Sequence, residues 1–367
     1  MTSLTRLAAA LMLLSLLPLV QAAQTTNGAS TTTATSGVVR HRAEVEALIQ
    51  KAGATAPDWW DATPLNFPKT LDLKMGPPVT KQWDPQKNVG QYFWSVINEN
   101  PSKWKEGAKF ADYLMTLNQS DPDKVKQAQG QLLHLYQDCL GDYARAAYWH
   151  LKHGDTDNEG LALCYFKLGS KEMAREVLGR CGDDDTRHGT IIKLYADMGD
   201  FDQAMRQVKI KAENDKPDIA YLMAGETCRA AGKYAEALDW LGKVASVDPA
   251  KAGRDFKQSQ ARAQASIEAI KLYDTLELKR VPDGAYTSSS TGYSGAVTVE
   301  VSVKAAKIAD VKVTQHSEKQ FYASMTVIPA QIIQKQSVKG IDTYSSATIT
   351  SEAIINATAK ALSAAMK

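Results

Sequence analysis

The hydrophobic positions of this sequence follow two patterns, one helical and one typical of strands. In the middle of the chain a helical pattern recurs four times, in the segments CLGDYARAAYW, KLGSKEMAREVL, DMGDFDQAMRQV and AAGKYAEALDWL. Further on, apolar and polar residues alternate from Val297 to Val303, and apolar residues resume from Ile308 to Val313 after the turn KAAK. This alternation predicts a β-hairpin with one buried face. Two helices are predicted to follow, at SMTVIPAQIIQKQS and at the C-terminus.

A glycine and an alanine mark each copy of the helical pattern. The glycines recur at intervals of 28, 30 and 33 residues, and an alanine follows each of them by five residues. A glycine at the turn between two helices adopts a conformation that is costly for other residues, and an alanine one turn later lets the paired helices approach closely. We therefore predict helical repeats over residues 121–280. The pairs are Gly141 and Ala146, Gly169 and Ala174, Gly199 and Ala204, and Gly232 and Ala237.

The last copy resembles the tetratricopeptide repeat. The residues at that family's turn, packing and terminating positions are Gly225, Gly232, Tyr234, Ala237 and Pro249. The earlier copies lack the proline, and two are shorter than the family's period of about 34 residues, so the repeats are degenerate. The resemblance implies a short α-solenoid, which either binds a partner in its concave groove or serves only as a scaffold.

Five of the seven tryptophans lie ahead of the repeats, in segments that prolines interrupt. Indole rings bury a large apolar area without needing regular structure. We therefore interpret residues 38–120 as a helical and irregular cap over the first repeat, with a ligand platform as the alternative. The five are Trp59, Trp60, Trp83, Trp94 and Trp104.

The N-terminus has the pattern of a secretory signal. Arg6 precedes an apolar run that ends at Val20, and small residues follow. The run is shorter than the roughly 20 residues that a membrane-spanning helix needs. We predict a cleaved signal peptide over residues 1–22, with a retained membrane anchor as the alternative, and a flexible linker over residues 23–37. Because no other apolar stretch approaches bilayer length, the exported protein is predicted to be soluble and periplasmic or otherwise extracytoplasmic.

The charge balance argues against nucleic acid as a partner. The chain carries 43 basic and 41 acidic residues, a net charge of +2, whereas a nucleic-acid binder presents a strongly basic surface. The four cysteines stand 25, 17 and 47 residues apart, without a CxxC or CxxCH motif. This spacing does not favour a metal site, and it leaves open whether the thiols are free or paired.

Two C-terminal segments carry a resemblance to a known family. The segments DGAYTSSSTGYSGAVTVEVSVKAAKIADVKVTQHSE and DTYSSATITSEAI resemble the FMN-binding domain family in order and spacing. That family occurs in small flavin subunits of sodium-pumping quinone reductases and Rnf-type electron-transfer complexes, and in exported bacterial reductases. The resemblance implies a compact α+β domain, here residues 281–367, with FMN as its cofactor.

The resemblance also implies where the flavin is attached. The family's motif reads D-x-x-S/T-G-A-T/S, and a flavin transferase esterifies the oxygen of its last residue to the phosphate of FMN. In this sequence Asp342 matches the acid, Ser345 the first hydroxyl, Ala347 the alanine and Thr348 the acceptor. Ser346 stands where glycine is usual, and this departure is the basis for an alternative in which the domain has lost its flavin.

The hydroxyl cluster around Thr348 has a chemical interpretation of its own. A phosphodiester needs one acceptor oxygen, and Ser345, Thr350 and Ser351 are predicted to donate hydrogen bonds to its remaining oxygens. Thr350 or Ser351 is also predicted to cap the last helix, with Glu352 in its first turn. Free N–H groups at a helix start favour a phosphate as well. Capping alone is the alternative explanation of such a cluster.

Three further residues are candidates for contact with the flavin. Gly292 lies in the segment GYSG, where the absence of a side chain allows a close backbone approach or a turn. His316 and Glu318 follow the second strand of the predicted hairpin, in a region that the family uses near its cofactor. A structural role for the histidine is the alternative. We predict no catalytic residue and no metal ligand.

These patterns together predict a multidomain protein, an all-α tetratricopeptide-like solenoid followed by a small α+β FMN-binding domain. The leading hypothesis is an exported electron-transfer flavoprotein whose repeats dock a redox partner, with association with a membrane redox complex as one expectation. No nucleophile–base pair is recognisable, so we do not expect a stand-alone enzyme. The alternatives are an interaction scaffold with a flavin-free domain and a reductase whose substrate binds beside the flavin.

Overall fold

Most of the described residues up to residue 280 form short helices, with an irregular stretch between residues 55 and 88, and a small antiparallel sheet with two helices follows. The computed structural model describes residues 38–77, 82–181, 188–214, 216–318, 323–344 and 347–366. The predicted signal peptide and linker lie outside these residues, as do Ser345 and Ser346 of the attachment motif.

The described residues contain 14 α-helices and three strands. The helices are α1 (Arg42–Ala54), α2 (Val89–Tyr92), α3 (Trp104–Leu117), α4 (Pro122–His134), α5 (Tyr143–His153), α6 (Glu159–Lys167), α7 (Lys171–Leu178), α8 (His188–Met198), α9 (Phe201–Asn214), α10 (Pro217–Ala230), α11 (Tyr234–Lys243), α12 (Phe256–Leu272), α13 (Ser324–Lys335) and α14 (Thr348–Ala365). The strands are β1 (Gly284–Thr291), β2 (Ala296–Lys304) and β3 (Lys307–Gln315). We call α1 to α12 the helical body, and the strands with α13 and α14 the sheet domain.

Four helix pairs form the middle of the helical body: α4 with α5, α6 with α7, α8 with α9, and α10 with α11. The glycine at each turn has a positive φ, between +64° and +101°, which is the conformation for which glycine is suited. The alanine five residues after each glycine is fully buried. Consecutive pairs contact one another through α5 with α6, α6 with α8, and α8 with α10. This arrangement fits the helical body that the repeats predict.

The tryptophan-rich segment packs only in part against the first helices. Trp59 and Trp104 contact the hydrophobic core of the N-terminal helices, and Phe67 stacks on a phenylalanine of α3 with 4.5 Å between ring centroids. Trp83 and Trp94 are 61% and 53% exposed. Part of the segment therefore covers the helical body, and part faces solvent.

The predicted hairpin is confirmed, and one further strand precedes it. The sheet has the order β1-β2-β3, and both neighbouring pairs are antiparallel. The alternate valines of β2, from Val297 to Val303, are buried. Ala305 and Ala306 both have positive φ, as a type I′ turn requires at both residues of a two-residue hairpin loop. β1 was not predicted, because its sequence GAYTSSST lacks the alternation of apolar residues by which a strand is recognised.

The helical body and the sheet domain share a hydrophobic core. α14 contacts β1 and β2 of the sheet and also α12 of the helical body, so its residues from Thr350 to Ala359 are all buried. Leu222, Leu241 and Ile270 of the helical body belong to the same cluster of buried residues as the valines of β2. The packing is thus continuous across residue 280.

The four cysteines are free thiols, and three of them are buried. Burial raises the pKa of the thiols of Cys139, Cys164 and Cys228, so these side chains pack as small apolar groups. Among the described helices, none has both the length and the apolar character that crossing a bilayer requires.

Candidate functional site

The attachment motif leads directly into α14. The helix begins at Thr348, and the preceding Ala347 provides no side-chain cap. The first N–H groups of a helix have no partner within the helix, so those of α14 are available to an anion. Thr348 is half-buried, and none of the hydrogen bonds among the described residues involves its hydroxyl. The predicted acceptor therefore lies at a helix start that no side chain of the described residues caps.

The predicted cap is wrong, because the helix starts before the residues that were expected to cap it. Thr350 donates to Oε2 of Glu318 at 2.6 Å. Ser351 donates to the carbonyl of Ala347 at 2.8 Å and accepts from the N–H of Tyr344 at 3.1 Å. Both residues are buried inside the first turn. Their hydroxyls hold the turn together in this structure, and the predicted hydrogen bonds from them to a phosphate stay a prediction.

Glu318 and Gly292 form a second part of the site, beside the start of α14. Glu318 is buried, and its Oε1 accepts from the N–H of Ser294 at 3.0 Å. A Cβ atom on Gly292 would lie 2.6 Å from that oxygen, so only glycine lets Glu318 pack here. The close approach that we predicted at Gly292 is made by a carboxylate of the same chain. His316 is exposed and lies off the cavity described below.

Asp342, the acid of the motif, is held by the helical body. Lys193 of α8 donates to Oδ1 of Asp342 at 2.8 Å and also pairs with Asp197, one turn further along α8. Burial favours a higher pKa for Asp342, but Lys193 and Lys167 outweigh it and hold this pKa below its usual range. Burial raises the pKa of Asp197 to about 6. Of the two carboxyl groups, Asp342 is therefore the one that keeps its negative charge at lower pH.

Thr348 lies on the wall of a cavity of about 390 Å³ between the helical body and the sheet domain. Residues of α6, α8, α10 and α12 form most of this wall, and α14 and Tyr293 complete it. Cavities of about 300–1,000 Å³ with apolar walls and a few polar groups are typical of small-molecule sites. The apolar residues of the wall are Leu163, Ile192, Leu194, Ile219, Leu222, Met223 and Ile349.

Two ion pairs lie at the buried end of the cavity. Arg262 of α12 donates to Glu352 at 3.0 Å, and Arg229 makes two hydrogen bonds of 2.6 Å to Glu226. We predicted Glu352 in the first turn of α14. It lies in the second turn, because the helix begins at Thr348. The spacing of four residues places Thr348 and Glu352 on one face. Burial and the nearby Glu226 raise the pKa of Glu352 in spite of Arg262.

Comparison with known families identifies the same part of the chain. A family model described as the FMN-binding domain matches residues 292–363, from the Gly292 turn almost to the end of α14. Residues 292–363 form an FMN-binding domain. The match supports FMN as its cofactor, and it leaves the helical body outside the bounds of the family.

A stretch of 82 residues is 40% identical to a protein of Treponema pallidum (strain Nichols) that is described as an uncharacterized protein. The stretch covers 22% of this chain and 22% of that protein. The chain thus matches about a fifth of the length of this curated relative. No solved structure matches the chain.

The residues of the FMN-binding domain and of the cavity fit the cofactor in their chemistry. The uncapped start of α14 suits a phosphate, and the apolar wall suits an aromatic ring. Nε of Arg262 is a buried donor without an acceptor among the described residues. Thr348 and the first turn of α14 would hold the phosphate end, and the cavity wall would hold the ring. When bound, the flavin supplies the ability to accept and release electrons.

Sequence reasoning missed the contribution of the helical body to this site. Lys193 lies 149 residues from Asp342, and Arg262 lies 90 residues from Glu352. A lone lysine or arginine on a helix has no local signal, because its role depends on a partner that is remote in sequence. The feature of the sequence that could have indicated these residues is the helical pattern up to residue 280, because its last helix, α12, directly precedes the FMN-binding domain along the chain.

Proposed function

We propose that this protein is an exported flavoprotein that carries FMN on Thr348 and passes electrons in an extracytoplasmic compartment, with the helical body docking a redox partner. The observation that supports this proposal most directly is the position of Thr348. Its hydroxyl lies at the uncapped start of α14, on the wall of a cavity of about 390 Å³, inside the matched FMN-binding domain. The signal-like N-terminus supports export.

Attachment requires a flavin transferase and a donor with an activated phosphate, such as a flavin dinucleotide. The oxygen of Thr348 bonds to the flavin-side phosphorus, the P–O–P bond of the donor breaks, a nucleoside monophosphate leaves, and the hydroxyl proton is released. The resulting phosphodiester keeps one negative charge, which the start of α14 favours by about 0.3–1 kcal/mol. That is too little to retain a flavin, so the covalent bond is what retains it.

The exposed residues of the cavity at Thr348 support docking of a partner on the helical body. Thr190 of α8 and Tyr293 of the FMN-binding domain are exposed and line it. A partner that exchanges electrons with a flavin in this cavity must therefore approach both the helical body and the domain. This gives the repeats a role in choosing the partner, while the flavin carries the chemistry.

The intact mass of the full chain, co-produced with a flavin transferase in an exporting host, tests the proposal. We expect the wild type to gain the mass of one FMN less one water and to lose residues 1–22. Thr348→Ala is expected to abolish the flavin gain. Thr350→Ala is the matched control and is expected to keep it, because the Thr350 hydroxyl is already bonded to Glu318. An unmodified wild type contradicts attachment and favours the flavin-free scaffold.

A second cavity favours the reductase as a second candidate function. Its volume is about 430 Å³, and it shares Leu163 and Thr190 with the cavity at Thr348. His134, His150 and Glu159 line it, so it suits a polar molecule held beside the flavin. Turnover of polar electron acceptors by the flavin-loaded full chain tests this candidate, and the absence of turnover favours electron transfer to a protein partner.

A further inference from the structure

Arg262 reaches the cavity from outside the matched FMN-binding domain. It lies on α12, and its Nη2 donates to Oε2 of Glu352 at 3.0 Å. Its Nε is buried and has no acceptor among the described residues. A buried donor without an acceptor is costly and therefore rare. The described residues therefore leave this donor free for an acceptor from a bound molecule.

The wall of the cavity contains both exposed and buried residues. Tyr293 is 67% exposed, whereas Glu226 and Glu352, the partner of Arg262, are 7% and 8% exposed. Thr348 and Glu352 lie one turn apart on α14, about 6 Å along its axis. A cofactor attached through its phosphate to Thr348 would therefore be close enough to contact the guanidinium that is bonded to Glu352.

The apolar part of the cavity wall suits a ring better than it suits a phosphate. Ile192 of α8 and Leu222 and Met223 of α10 make it apolar. Gly189 allows Met223 to lie against α8, since a Cβ atom on this glycine would be 2.8 Å from Cε of Met223. A wall that combines these apolar side chains with polar groups such as the Arg262 guanidinium matches a planar heterocycle that has hydrogen-bond acceptors on its edge.

We propose that Arg262 binds the isoalloxazine ring of FMN through Nε, and that α8, α10 and α12 form the wall of the ring site. This inference rests on the proposed attachment of FMN to Thr348. Glu352 positions the guanidinium. A cation beside the ring stabilises the electron-rich reduced flavin more than the oxidised flavin, so Arg262 raises the reduction potential of the bound cofactor.

The test compares four versions of the flavin-loaded full chain: wild type, Arg262→Gln, Glu352→Gln and Lys271→Gln. Arg262→Gln removes the cation, and Glu352→Gln breaks the same ion pair but keeps the cation. Lys271, which is exposed on the same helix and lies off the cavity, controls for the loss of one positive charge. Intact mass gives the flavin load of each version, and a reductive titration followed by visible absorbance gives the midpoint potential.

Among these variants we expect only Arg262→Gln to lower the midpoint potential, by about 30 mV for a two-electron couple. This shift corresponds to a fall of about tenfold in the ratio of reduced to oxidised flavin at a given solution potential. The potential of Glu352→Gln is expected to equal or exceed that of the wild type, and the potential of Lys271→Gln is expected to equal it. Equal falls in Arg262→Gln and Glu352→Gln indicate a merely structural ion pair and overturn the inference. A loaded Arg262→Gln with the wild-type potential also overturns it but leaves the proposed function intact, whereas a wild type without flavin overturns both.

Arg262→Lys is the second variant, for the case in which Arg262→Gln does not fold. It keeps a cation that can pair with Glu352 and loses the planar guanidinium with its Nε donor. Its potential is expected to fall in the same direction by a smaller amount. A loaded Arg262→Lys that matches the wild type in both potential and flavin fluorescence overturns the inference.

Discussion

At the scale of single residues, Gly292 and Glu318 hold two segments of the FMN-binding domain together. One carboxylate accepts from the N–H of Ser294 and from the hydroxyl of Thr350, so it joins the turn before β2 to the first turn of α14. The carboxylate fits only because Gly292 has no side chain. Gly292 is therefore required by packing within the chain.

Gly292→Ala is expected to destabilise the protein. The added Cβ would lie 2.6 Å from Oε1 of Glu318 and 2.7 Å from Cγ2 of Val297, and such overpacking costs about 1–3 kcal/mol. The midpoint of thermal unfolding, followed by circular dichroism, measures the loss. Gly242→Ala is the matched control: nothing lies within 4 Å of that position in α11, so stability should rise by about 0.5–1 kcal/mol. A Gly292→Ala protein as stable as the wild type contradicts this account.

At the scale of elements, α8 links the helical body to the attachment motif. Lys193 and Asp197 lie one turn apart on this helix, and Lys193 reaches Asp342 just before α14. The side chains of Lys193 and Asp197 are mostly buried, whereas that of Asp342 is 50% exposed. Asp342 is the more acidic carboxyl, and Asp197 is the one that is protonated first as the pH falls. The geometry of the motif thus depends on a helix that lies outside its domain.

This group is expected to make stability depend on pH. The pKa of Asp197 is raised to about 6 in the folded protein, compared with about 3.9 in an unfolded chain. Between these values the folded protein binds a proton that the unfolded chain has lost, so the stability from Asp197 is present at about pH 4 and falls as the pH rises through 6.

Thermal midpoints of the wild type and Asp197→Asn between pH 4 and 7 check this sign. The midpoint of the wild type relative to the variant should fall as the pH increases, because asparagine does not titrate. Asp202→Asn, on the exposed side of α9, is the control for the removal of one carboxyl group. A wild type that gains stability relative to Asp197→Asn with rising pH contradicts the assignment.

At the scale of the whole molecule, the FMN-binding domain packs as a continuation of the helical body. Leu241 of α11 shares a cluster of buried residues with Ile354 of α14, and Arg229 of α10 donates to the carbonyl of Ile341 at 3.0 Å. Leu161 of α6 belongs to a different cluster, around the N-terminal helices. Loosening α11 should therefore loosen α14, whereas loosening α6 should not.

Leu241→Ala and Leu161→Ala test this continuity. Each removes a buried leucine side chain and should cost about 2–5 kcal/mol in local packing. Hydrogen exchange measured by mass spectrometry is expected to accelerate in peptides of α14 for Leu241→Ala. For Leu161→Ala it should accelerate in α5 to α7 and stay unchanged in α14. Equal protection of α14 in Leu241→Ala and the wild type would show that the two parts open independently.

The sequence by itself determined the features that depend on neighbours along the chain. The glycines at the helix turns have the positive φ that their spacing predicts, and the alternating valines form the buried face of β2. The attachment motif lies at the start of a helix, as its hydroxyl residues indicate. Backbone conformation and the periodicity of burial leave such local signals because they act within a few residues.

Only the tertiary structure decided what surrounds Thr348. The start of α14, three residues before Ser351, is set by packing against the sheet and α12, so the prediction of the cap was wrong. The pairing of Lys193 with Asp342 and of Arg262 with Glu352 depends on a helical body that folds back onto the domain. Ion pairs and cavity walls form between groups that are close in space, and their separation of 90 or 149 residues along the chain leaves no periodic trace in the sequence.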